Sequence, residues 1–214
     1  MKKSILAIAF IALTTVACKT EKNKVTASEE VKDVKKVENV INSYKANVKE
    51  STVTWKGSKP TGSHNGVVSL EKGLLDIENG TVKSGEFVIN MNSISCEDLK
   101  EGKGKEDLEG HLKSGDFFDV AKFPTAKFEV ASSEIKDGKL QVTGNLTLRG
   151  TTKSITIPAT IEEADGMATF KSDVFSIDRT DFGVTYKSKK LDAALKDKFI
   201  NDLMEISFEI KAQK

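Results

Sequence analysis

From Ser51 onward, apolar and polar residues alternate with a period of two in short runs bounded by Gly, Asn or Asp. Successive side chains of an extended backbone point to opposite faces, so such runs build sheets that are dry on one face and wet on the other. Val53 and Trp55 share a face, as do Phe87, Ile89 and Met91, and then Phe128 and Val130. Leu140, Val142, Leu146 and Leu148 alternate with Gln141, Thr143, Asn145 and Thr147, and the pattern continues through Ile155-Ile157, Ala168-Phe170-Ser172-Val174 and Ile206-Phe208-Ile210. Asp137-Gly138 and Asp165-Gly166 carry the residue pairs of tight hairpin turns. About eight such strands with almost no helical pattern between them predict an antiparallel all-β domain. Periodicity leaves open whether it closes into a barrel or folds into a sandwich.

Two segments break the alternation. Glu106 to Lys113 reads as a short helix or turn before Asp116-Phe117-Phe118-Asp119, and Leu191, Ala194, Leu195 and Phe199 have the spacing of one or two amphipathic helical turns. Both are expected to connect or cap strands. No repeat of the length typical of propellers or solenoids is present.

The chain begins with Met1-Lys2-Lys3, an apolar run from Ile5 to Leu13, and a small residue at Ala17, the pattern of a secretion signal over residues 1–17. The apolar run is too short for a spanning helix, which needs roughly 20 residues. Thr15-Val16-Ala17-Cys18 resembles the lipobox of bacterial lipoproteins, which implies lipidation of Cys18. Lys19 is not the Asp that retains such proteins at the inner membrane, so an outer-membrane location is expected. Residues 18–50 lack Phe, Trp, Leu, Gly and Pro and read as a solvated tether of about 30 Å root-mean-square span ahead of a domain over 51–214. Val31, Val34, Val37, Ile41 and Tyr44 recur at helical spacing, which gives this tether at most a weak amphipathic helix.

The formal charge of +1 becomes −1 once Lys2 and Lys3 are removed, since 31 basic side chains then face 32 acidic ones. No charge field steers the protein toward nucleic acid, and contact with the membrane is expected through the anchor alone. With Cys18 acylated, Cys96 has no disulfide partner within the chain, so stability must come from packing.

Catalytic material is sparse. His64 and His111 are the only imidazoles, and no ligand spacing supports a metal site shared by them. Cys96 lacks the basic or glycine-rich context of a nucleophile. The common signatures of nucleotide, serine-nucleophile and dithiol chemistry are absent. No catalytic residue, metal ligand or cofactor is assigned.

Three segments together resemble the YceI-like family. Glu109-Gly110-His111-Leu112-Lys113-Ser114-Gly115-Asp116-Phe117-Phe118-Asp119, followed by Lys122-Phe123-Pro124-Thr125-Ala126-Lys127-Phe128, is the first. The second is Val142-Thr143-Gly144-Asn145-Leu146-Thr147-Leu148-Arg149-Gly150-Thr151-Thr152-Lys153, and the third is Ile177-Asp178-Arg179-Thr180-Asp181-Phe182-Gly183-Val184. The resemblance implies an extended antiparallel, lipocalin-like β-barrel of about eight strands with short helical connections. It further implies an envelope protein that binds isoprenoids or other long amphiphilic lipids. Arg149 and Arg179, the only arginines, suit fork pairing with a carboxylate such as Asp116, Asp178 or Asp181, a stapling of loops preferred over contact with a ligand head group.

The function expected from this reading is non-enzymatic binding of an isoprenoid or fatty chain against Trp55, Phe87, Ile89, Met91, Phe128, Leu146, Leu148 and Phe170. A homodimer is compatible with it. Two other readings stand beside it: an interaction module with a filled barrel, and a hydrolytic enzyme built on His64 or His111 with nearby carboxylates.

Overall fold

Four two-residue turns set the register of the molecule. Asn79-Gly80, Asp137-Gly138, Arg149-Gly150 and Asp165-Gly166 each place both residues at positive φ, the geometry whose twist matches that of the strands it joins. The computed structural model describes residues 23–34 and 42–214. The expected signal sequence and Cys18 lie outside the described residues.

The strands are β1 (Asn42–Ala46), β2 (Thr52–Lys59), β3 (Gly62–Glu78), β4 (Thr81–Cys96), β5 (Thr125–Lys136), β6 (Lys139–Leu148), β7 (Thr151–Ala164), β8 (Met167–Ser172), β9 (Phe175–Asp178) and β10 (Leu203–Gln213). Antiparallel neighbours run from β2 to β8 in chain order, β8 pairs with β10, and β10 pairs with β2. The result is a closed ring of eight strands, so the barrel has replaced the sandwich among the two alternatives. Two positions in the ring are broken strands. β1 and β2 share the slot between β3 and β10, and β8 and β9 lie in succession along β10.

The segment expected to be a tether is in part built into the barrel. Tyr44 and Ala46 on β1 are 2% and 8% exposed while Ser43 and Lys45 face out, a period of two where the sequence suggested a helical one. Residues 23–34 form a strap. Val25 N–H donates to Ser176 O on β9, and Ser28 exchanges both backbone hydrogen bonds with Ser154 on β7, so the strap closes the seam where β9 diverges from β7. It then passes over the outer face of β6, where the side chain of Asn145 accepts from Val31 N–H at 2.9 Å and donates to Val31 O at 2.8 Å. The domain therefore begins well before Ser51.

The helix α1 (Lys105–Lys113) forms as expected and buries Leu112. The second expected helical segment forms only as a short 3-10 helix. Residues Ala193–Lys198 make a 3-10 turn interrupted at Lys196, with no buried residue, and Leu191 is 59% exposed. Leu191 and Ala194 are exposed and Leu195 and Phe199 only half-buried, so little of the apolar face is covered, and apolar spacing with little burial does not sustain an α-helix.

Candidate functional site

Along its length the barrel interior is half filled and half hollow. At the end where β1 lies, Leu75, Ile77, Val82, Val130 and Val142 are at most 1% exposed and belong to one packed apolar core. A layer of phenylalanines separates this plug from the rest. Phe87 and Phe170 have ring centroids 5.8 Å apart, and Phe170 and Phe208 are 4.8 Å apart. Room for the layer comes from glycine: a Cβ on Gly144 would sit 2.5 Å from the Phe128 ring, and one on Gly73 would sit 2.8 Å from the Phe87 ring.

Above this layer lies an apolar cavity with about 170 Å³ free for the centres of water-sized atoms. All eight residues singled out from the sequence line it: Trp55, Phe87, Ile89, Met91, Phe128, Leu146, Leu148 and Phe170. They arrive from β2, β4, β5, β6 and β8, each at an inward position of its strand. The opposite wall, from Phe175, Ile177, Met204, Ile206 and Phe208, was not singled out. For β10 the signal was present in the alternation of Ile206, Phe208 and Ile210. For β9 there was none, since all four of its residues are buried and alternation disappears. Leu112 from α1 and Phe118 from the loop behind it also line the cavity.

Among the described residues, polar chemistry is nearly absent from these walls. Thr54 and Lys56 are the polar residues there apart from Trp55, and they bond outside partners, Thr54 to Ser207 Oγ at 2.7 Å and Lys56 to Glu205 at 3.6 Å. The indole N–H of Trp55 donates to Val67 O. Neither histidine lines the cavity. His64 bonds Asp98 at 2.8 Å, and His111 bonds Asp116 at 3.2 Å while its ring meets Phe117 and Tyr186 edge-on. The two are not brought together, and each is held by its own carboxylate.

The arginines staple loops, but mainly through carbonyls instead of the expected carboxylates. Arg149 donates to Gly183 O and to Gly115 O, tying the loop behind α1 to the turn at Gly183. Arg179, 1% exposed, donates to Asn201 O, Val184 O and Ile200 O. Its carboxylate partner is Asp202 at 3.3 Å; Asp178 instead caps Thr180, and Asp116 holds His111. Carbonyls satisfy a buried fork without burying a second full charge.

A family model for the YceI-like domain matches residues 44–212. The UPF0312 protein of Pseudomonas aeruginosa is 38% identical over 85 residues, 40% of this chain and 41% of that protein. Protein YceI of Salmonella arizonae is 36% identical over 85 residues, with the same coverage. The matched segment thus spans about two-fifths of the length of these curated relatives. Among solved structures, BcnA of Burkholderia cenocepacia superposes with a TM-score of 0.60 at 20% identity, covering 78% of this chain and 98% of that one. A polyisoprenoid-binding domain from Saccharophagus degradans, implicated in plant cell wall breakdown, gives 0.58 at 15% identity over 79% and 97%. At these identities the likeness is one of fold.

Proposed function

The chain belongs to the YceI-like domain family, and we propose that it binds the hydrocarbon chain of an isoprenoid or fatty amphiphile in the hollow half of its barrel, without catalysing a reaction. The observation that carries this reading is the apolar cavity, whose walls suit methylenes and offer a reacting group almost nothing. A water needs roughly 10–15 Å³ of such free space, so the cavity admits about a dozen chain atoms. At ~0.8 kcal/mol per buried methylene, hydrocarbon alone supplies about 10 kcal/mol before the costs of association. The polyisoprenoid-binding neighbour shares the barrel and supports the choice of ligand class.

We place the protein at the cell envelope, anchored by a lipid on Cys18 at the outer membrane. The basis is the leader pattern of residues 1–17, the lipobox-like Thr15–Cys18 and the residue Lys19. Docking of the strap from Asn23 onward shortens the connection. Five residue steps separate Cys18 from Asn23, so the barrel would hang within ~17 Å of its anchor, far closer than a tether of 33 residues allows. Native mass spectrometry of protein purified without added lipid tests the binding reading: a co-purifying amphiphile, or uptake of a polyprenyl or fatty chain, is expected. A bare protein that takes up neither overturns it. Retention of a Cys18→Ala variant in the membrane fraction would sink the anchor.

A further inference from the structure

Away from the cavity walls, three side chains of different chemistry converge where β3 begins and β4 ends. They are the ring of His64, the thiol of Cys96 and the carboxylate of Asp98, whose donor atoms all lie within 4.8 Å of one another. Strand pairing explains the meeting. Cys96 lies opposite Gly66 on β3, and His64 is two residues before Gly66, so the two side chains are diagonal neighbours on one face. Gly66 permits the close approach, since a Cβ there would sit 1.9 Å from Ser95 O.

The backbone carrying these groups is fixed from several directions. Glu109 Oε1 accepts the Cys96 N–H at 2.8 Å, the Asn65 N–H donates to Asp98 Oδ1 at 2.9 Å, and the Glu97 N–H donates to Asn65 O at 2.9 Å. Exposure is one-sided: Cys96 is fully buried, whereas the His64 and Asp98 side chains are 32% and 30% exposed.

We propose that His64, Cys96 and Asp98 form a binding site for a divalent ion of the zinc class, with a fourth position open to solvent. Imidazole nitrogen, thiolate sulfur and carboxylate oxygen are the three donor types that zinc takes. Hydrogen bonds already hold them near ligand spacing, His64 Nδ1 to Asp98 Oδ2 at 2.8 Å and Cys96 Sγ to Asp98 Oδ1 at 3.2 Å. Tetrahedral zinc with bonds of ~2.0–2.3 Å sets its ligand atoms roughly 3.3–3.6 Å apart, so binding requires displacements on the order of an ångström or less. When the sulfur–metal bond forms, the thiol proton passes to solvent, and the ring binds as neutral imidazole through Nδ1. Thiolate and carboxylate together then balance the dication. Three protein ligands beside an open face leave one exchangeable position for water or an external group. The site shares no residue with the lipid cavity, so it stands independently of that function.

Cobalt titration of the protein after removal of metals by a chelator tests the site. The expected result is uptake of one Co²⁺ per chain with a thiolate-to-cobalt charge-transfer band, displaced by Zn²⁺. Cys96→Ser removes the band, His64→Ala weakens Zn²⁺ binding about tenfold or more, and His111→Ala changes neither. Absence of the band, or a band that persists unchanged in both Cys96→Ser and His64→Ala, overturns the proposal. Should Cys96→Ser fail to fold, His64→Ala and Asp98→Asn decide the matter at half-exposed positions, and undiminished Co²⁺ binding in both overturns it.

Discussion

The phenol of Tyr44 on β1 donates a 2.6 Å hydrogen bond to Glu163 Oε2 on β7, linking two strands that are not neighbours at the filled end of the barrel. The bond to Glu163, with burial added, raises the Tyr44 pKa to about 12. A raised pKa favours the neutral phenol in the folded state, so its stabilisation is complete below pH ~10 and fades as pH climbs from ~10 to ~12. Tyr44→Phe is expected to cost about 1–2 kcal/mol at neutral pH, read by denaturant unfolding, and to remove the phenol ionisation near pH 12 from an absorbance titration. Lipid uptake should be unchanged, since Tyr44 does not line the cavity.

Filling the hollow half should separate binding from stability. Leu146 faces the void, and Leu146→Trp places a larger apolar group in space that is free in the native barrel. Lipid uptake is expected to fall at least about tenfold while the thermal midpoint holds or rises, as cavity filling commonly stabilises. Undiminished uptake together with a native midpoint would remove the cavity from the binding reading.

Asn145 is 1% exposed although it points out of the barrel, because the strap covers it. Asn145→Ala removes both bonds to Val31, and the strap should then open locally at a cost of about 1–3 kcal/mol. Faster amide exchange at Val25 and Ser28 and earlier proteolysis within 23–34 report the opening. Equal protection in both proteins would show that the seam holds the strap unaided.

Arg179→Lys retains the charge but reduces a fork serving three carbonyls and Asp202 to a single ammonium. Buried carbonyls then lack donors, so a loss of about 3 kcal/mol in unfolding free energy is expected. Burial already draws the guanidinium pKa downward, and a lysine in the same place would be further disfavoured as a cation.

Much of the barrel was legible because inward residues of half-wet strands announce themselves by alternation, as in β4, β6 and β10. β9 escaped because Phe175, Ser176, Ile177 and Asp178 are all buried. The strap escaped for another reason: its bonds to Ser154 and Ser176 are made by backbone, and Ser28 and Ser154 are 126 residues apart, so no side-chain pattern records the pairing. Whether the interior is hollow depends on where glycine stands among inward positions, at Gly73, Gly85 and Gly144 against Phe87 and Phe128. His64, Cys96 and Asp98 become neighbours only through the β3–β4 register, which no spacing along the chain reveals.

The plug of Leu75, Ile77, Val82, Val130 and Val142 makes the cavity a cul-de-sac. On the proposed binding reading, cargo seated among the described residues would not cross the barrel through that packed end, so the protein would hold its cargo as a carrier and would not pass it along as a conduit.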